Sequence, residues 1–117
     1  MVSPVPDESR LWLLQAAVGH LQQVVTELGQ VGAGTRQVAD RIHALSSIDW
    51  RSPAGEAFAE RSRRLRARAQ QLAEEAEASA QLGRNAITDL EHRIGRLQAE
   101  LAAARTVLAA GAGLGIG

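Results

Sequence analysis

Three histidines, His20, His43 and His92, are the first residues to weigh for chemistry, since imidazole serves as metal ligand or general base. No two of them stand at the i, i+4 spacing of a helical zinc site, and no His-Glu-x-x-His occurs. Cysteine is absent, which removes thiolate metal sites, disulfides and thiol nucleophiles. Serines gather at Ser46, Ser47 and Ser52, but no Gly-x-Ser-x-Gly elbow accompanies them, and they read as turn and cap residues. Glu74, Glu75 and Glu77 lie close together without an apolar surround to raise a carboxyl pKa. The expectation is a chain without catalytic residues, metal site or cofactor, and so not an enzyme.

The other chemical feature is the run Glu60 to Arg68, in which Arg61, Arg63, Arg64, Arg66 and Arg68 are all basic. A nucleic-acid binder would leave such a stripe unopposed and set stacking rings beside it. Here Glu60 can pair with Arg64 at i, i+4, and the Glu74–Glu77 patch follows two to three turns later. Thirteen basic residues balance thirteen acidic ones over the whole chain. The run reads as a solvated face or a charge-complementary patch for a partner helix, and no nucleic acid is expected.

The elements that carry these residues are helices. The 117 residues suffice for one small domain, and its core must come from Leu, Val, Ile and Ala, because Trp12, Trp50 and Phe58 are the only aromatics. After a loose tail at 1–6 with two prolines, apolar residues recur at Leu11, Leu14, Val18, Leu21, Val25 and Leu28. A flanking row, Val24, Val31, Val38 and Leu45, continues at spacing seven, which predicts a helix over about 7–46. Gly29, Gly32 and Gly34 within it predict a kink or a close helix crossing. Residues 47–52 form a turn, Ser52 caps, Pro53 fits the first helical position, and a second helix runs over about 53–110. Its seam is Phe58, Ser62, Leu65, Ala69, Leu72, Ala76, Ser79, Gly83, Ala86, Leu90, Ile94, Leu97, Leu101, Ala104 and Leu108, in steps alternating between four and three. The segment 111–117, rich in glycine, is expected to be a mobile tail.

Folding the chain back at Trp50 sets Ile42 against Phe58 and Leu28 against Leu72, and sets Val38 against Ser62, Leu21 against Ser79 and Leu14 against Ala86, large residues facing small over several layers. The fold class predicted is all-α, an antiparallel two-helix hairpin. At 1.5 Å per residue the first helix spans roughly 60 Å and the second roughly 85 Å, which leaves about 25 Å of the second uncovered. Ile94, Leu97, Leu101 and Leu108 lie in that excess. Either the chain folds back near Gly83-Arg84-Asn85 into a third helix, or another chain covers the seam. Association is the favoured solution, as a homodimer or heterodimer forming a four-helix bundle. The packing and interface residues expected are Leu14, Leu21, Leu28, Leu65, Leu72, Leu90, Ile94, Leu97, Leu101 and Leu108.

Two helical stripes joined by Asp49-Trp50-Arg51-Ser52-Pro53-Ala54-Gly55-Glu56-Ala57-Phe58 resemble the small helical-hairpin proteins of the ESX (type VII) secretion system. In those proteins a Trp-x-Gly turn joins two long helices, and small residues with an aromatic open the second. Trp50 matches the family tryptophan, Ser52 stands where the glycine usually is, and Ala54, Ala57 and Phe58 match the opening of the second helix. The turn motif is thus Trp50, Ser52, Pro53 and Phe58. Trp50 is expected to close the end of the hairpin with its indole N–H on a turn carbonyl, so that Trp50→Ala would cost about 3 kcal/mol by cavity formation.

The resemblance implies a non-enzymatic protein that is secreted, or is the heterodimer or chaperone-like partner of a secreted protein, through helix-bundle association. The family's export signal, Tyr-x-x-x-Asp/Glu, cannot occur in a chain without tyrosine. Travel with a signal-bearing partner, a non-exported partner role, and docking on a larger substrate all remain open. No positively charged leader followed by an apolar run opens the sequence, and no stretch suits stable membrane insertion, so the expected location is cytoplasmic before export. The competing reading is a cytosolic structural or adaptor coiled coil without a secretion role.

Overall fold

Among the described residues the chain leaves the helical conformation in one place only, the connection at 47–52. A computed structural model of the protein describes residues 6–115, with side chains over 8–111. Helix α1 covers Pro6–Ser46 and helix α2 covers Pro53–Gly115, so the protein is all-α with two long helices packed on one another. Pro6 belongs to α1, where a missing N–H costs nothing in the first turn, rather than to a tail. The rest of the expected N-terminal tail, residues 1–5, and the last two residues lie outside those described.

Helix α2 runs unbroken through Gly83, Arg84 and Asn85, so no third helix forms there, and it continues through Gly111 to Gly115 where a mobile tail was expected. The alanine-rich stretch before Gly111 explains this, since adding residues to an existing helix is far easier than starting one. Helix α1 likewise passes through Gly29, Gly32 and Gly34 without a break.

The chain divides into two compact units, each pairing a stretch of α1 with a stretch of α2. The unit Gln23–Gly83 contains the connection and has a core of small side chains: Ala39, Ala59, Ala69, Ala73, Ala76 and Ala80 are buried, joined by Ile42 and Ser62. A Cβ built on Gly32 would lie 3.7 Å from the Ala73 carbonyl oxygen and 3.8 Å from the Ala76 methyl, which marks a close crossing of the helices. The second unit joins α1 up to Gln22 with α2 from Arg84 onward. There Leu97 is buried and Leu14, Leu21, Leu90, Ile94 and Leu101 are half-buried.

Three expectations from the seam need correction. Ile42 shares a groove with Leu65 and Ala69 instead of facing Phe58, and Val25 approaches Gly83, a shift of about two helical turns from a fold centred on Trp50. The shift arises because the first turn of α2 underlies Trp50, placing Gly55 against the indole rather than against α1. With that register the excess of α2 largely disappears: Arg105 lies 3.5 Å from Glu8, and Leu97, expected to be bare, is buried. Only Val107 and Leu108, about 70% exposed, remain as an apolar overhang among the described side chains. Finally, the rotation of α2 puts Ser62, Ala69 and Ala76 inward together with Ala59, Ala73 and Ala80, and leaves Leu65 and Leu72 at least half exposed. Small side chains win the inner face because they let two backbones approach most closely.

Candidate functional site

The connection is built as a mutual cap. Helix α1 ends without a left-handed residue, as no described residue has positive φ, so its last carbonyls need other donors. Ser46 Oγ donates to the His43 carbonyl at 3.0 Å, and Ser47 Oγ donates to the Ala44 carbonyl at 2.9 Å. The Leu45 carbonyl accepts from the Trp50 indole Nε1 at 2.9 Å. On the other side of the turn the Ser52 hydroxyl accepts from the Gly55 N–H at 3.0 Å, and the Glu56 N–H donates to the Ser52 carbonyl at 2.8 Å. Ser52 is therefore the N-cap of α2 and Pro53 its first residue. Ser52→Ala is expected to lower stability by about 1 kcal/mol, measured by urea unfolding at fixed protein concentration.

Trp50 joins the two caps. Its ring meets Phe58 edge-on at 4.9 Å between centroids and 61° between planes, a favourable aromatic geometry. Gly55 makes this contact possible: a Cβ there would sit 3.0 Å from Ser52 Oγ and 3.1 Å from Trp50 Cβ. Neither periodicity nor motif spacing singles out Gly55; its signal in the sequence is a helix-disfavouring residue in the first turn of α2, three positions after the cap. Trp50 is half-buried and Phe58 is 43% exposed, so the tryptophan lies on the end of the hairpin without being enclosed.

The second feature is what the hairpin leaves outside. In the unit Gln23–Gly83, Val24, Val31, Val38 and Leu45 on α1, and Phe58, Leu65 and Leu72 on α2, are each between 43% and 58% exposed. Both rows step by seven residues, and Val31, Val38, Leu65 and Leu72 line one open groove with Gly34 and Arg68. A face of large apolar side chains in heptad order is the geometry by which helices recruit further helices. In the other unit Trp12 and Leu13 are 67% and 60% exposed.

The charged residues decorate this surface. Glu60 holds Arg63 at 3.0 Å and Arg64 at 3.3 Å, and hydrogen bonds from Arg63, with its charge and those of Arg64, keep the Glu60 carboxyl below the usual range. All three side chains are solvent-exposed, so these pairs add little to stability. Arg61, Arg64 and Arg68 border Leu65 and Leu72 on the outer side of α2, with Glu75 beyond them. No group of three or more His, Asp or Glu side chains positioned for a metal ion occurs among the described residues, and none of their helices is long and apolar enough to cross a membrane. The expected packing residues thus separate: Leu14, Leu21, Leu28, Leu90, Ile94, Leu97 and Leu101 are buried or half-buried, whereas Leu65, Leu72 and Leu108 face outward. The sequence matches no family model, no curated protein and no solved structure.

Proposed function

We propose that the protein is a non-enzymatic assembly module of type VII secretion, working as a secreted hairpin or as the heterodimer or chaperone-like partner of one. The observation that carries this reading is the pair of exposed heptad rows, Val24–Leu45 and Phe58–Leu72, on a helical hairpin fastened by a tryptophan at its turn. Such a face suits a second helical hairpin, whose apolar rows would complete a four-helix bundle. The Asp49-to-Phe58 resemblance to ESX hairpins supports the secretion context. The sequence holds no tyrosine, so in the exported form of this reading the protein travels with a signal-bearing partner, and in the other form it serves as a non-exported partner or docks on a larger substrate.

The test is secretion in the native host with and without the ATPase of its type VII system. The expected result is that this chain, or a small helical protein co-purifying with it in fixed ratio and bearing Tyr-x-x-x-Asp/Glu, leaves the cell only when that ATPase is present. Retention or release of both proteins regardless of the ATPase would contradict the secretion role and favour a structural coiled coil.

A further inference from the structure

In the unit that joins α1 up to Gln22 with α2 from Arg84 onward, three arginines gather without a counter-charge in contact. Arg10 on α1 and Arg93 and Arg96 on α2 line one open cleft of about 380 Å³ together with Leu14, Leu97 and Glu100. Leu97 is buried and Leu14 half-buried, so they form the floor, while the four charged residues are exposed along the rim. We propose that this cleft binds an acidic peptide segment of a partner protein. An apolar side chain of that segment rests on Leu14 and Leu97, and its flanking carboxylates are taken by the three guanidinium groups. The contact is separate from the apolar rows of the other unit and does not depend on the secretion reading.

Three observations carry it. The first is free charge. Elsewhere arginines take a nearby carboxylate: Arg63 and Arg64 share Glu60, Arg105 reaches Glu8, and Arg51 holds Asp49. Asp89 stands four residues before Arg93 and Glu100 four after Arg96, the spacing at which Glu60 and Arg64 pair. Yet Arg10, Arg93 and Arg96 make no ion pair or hydrogen bond with another described side chain. The second is arrangement. Arg93 and Arg96, at i, i+3, are surface neighbours about 5–6 Å apart at Cβ, and Arg10 reaches the same cleft from the other helix. Planar guanidinium forks on both sides suit carboxylate oxygens held between them.

The third is the mixture of groups, which selects the class of ligand. A bare phosphate ion would meet Glu100 at the rim and gain nothing from the leucine floor. A nucleic acid would find no aromatic ring in the cleft on which to stack a base. A peptide with an apolar residue among carboxylates uses both the floor and the rim, and Glu100 then sets its direction by repelling a carboxylate at that end.

Titration of the full chain with the capped peptide acetyl-Glu-Glu-Leu-Glu-Glu-amide, followed through the arginine Nε–H signals by NMR, tests this. The expected result is saturable one-to-one binding that shifts the signals of Arg10, Arg93 and Arg96. Serine in place of the peptide's leucine should weaken binding roughly fivefold, and inorganic phosphate should bind about tenfold more weakly than the peptide. Arg93→Gln combined with Arg96→Gln should weaken binding about tenfold with helical circular dichroism unchanged. Arg36→Gln combined with Arg41→Gln removes the same charge from the other unit and should leave binding unchanged. Absence of saturation, shifts spread evenly over all arginines, or equal losses in the two double variants would overturn the site. Phosphate binding as tightly as the peptide, or indifference to the peptide's leucine, would overturn the peptide as its ligand. The secretion test has a different readout, so the two readings fail separately.

Discussion

Trp50→Ala is expected to lower the stability of the hairpin by about 2 kcal/mol, and Trp50→Phe by about 1 kcal/mol. The larger change removes the edge-on contact with Phe58, the packing on Gly55 and the hydrogen bond to the Leu45 carbonyl together. The smaller change keeps a ring and loses only the indole N–H. A fully enclosed tryptophan would be worth more, about 3 kcal/mol or above, but Trp50 is only half-buried. Urea unfolding of the three proteins at one concentration measures both numbers. Equal losses for Ala and Phe would mean that the hydrogen bond to α1 dominates, and no loss for either would remove Trp50 as the fastening of the turn.

The second large effect is a change of sign among glycines that look equivalent in sequence. A methyl on Gly83 would lie 2.6 Å from Val25 Cγ2, closer than carbon atoms tolerate. Valine in a helix is held almost entirely in one rotamer, so it cannot swing aside. Gly83→Ala is expected to cost about 1–2 kcal/mol even after its gain in helix propensity. Val25→Ala should recover much of that loss when the two are combined, a coupling that a double-mutant cycle reads directly. Gly29→Ala meets nothing within 4 Å and should stabilise by about 0.5–1 kcal/mol. Gly32→Ala, with neighbours at ordinary contact distance, should be tolerated. Thermal melts of the series give the order, and a stabilising Gly83→Ala would refute the close approach of α2 to Val25.

These glycines also show where the amino-acid pattern stops being informative. Ser52-Pro53 announces the start of α2 because capping and proline geometry are local, and the all-α hairpin follows from periodicity long enough to outweigh four glycines in α1. The rotation of α2 is not local. A seam stepping by four and three contains Phe58, Leu65 and Leu72 on one flank and Ser62, Ala69 and Ala76 on the other, and hydrophobicity alone favours the leucines. The packed helices choose the alanines, because Gly32 and Ala39 on α1 permit a spacing too close for leucine. Ala59, Ala73 and Ala80 fall on one heptad row interrupted by Arg66, but in a chain where alanine is abundant that row does not stand out, and so the inner row stays hidden. The role of Gly55 is hidden for another reason: it depends on where the Trp50 ring lies, and only the folded turn settles that.

The same rotation underlies the proposed function, since it leaves Leu65 and Leu72 exposed rather than in the core. The chain has no cysteine, so single replacements Leu65→Cys, Leu72→Cys, Ala69→Cys and Ala73→Cys each supply a unique thiol. Thiol-labelling rates of these four variants at high dilution are the most direct measurement. The account predicts fast labelling at 65 and 72 and strong protection at 69 and 73, with the leucine positions becoming protected as concentration rises or a hairpin partner is added. Protection at 65 and 72 with free reaction at 69 and 73 in the dilute chain would place the leucines in the core and contradict it.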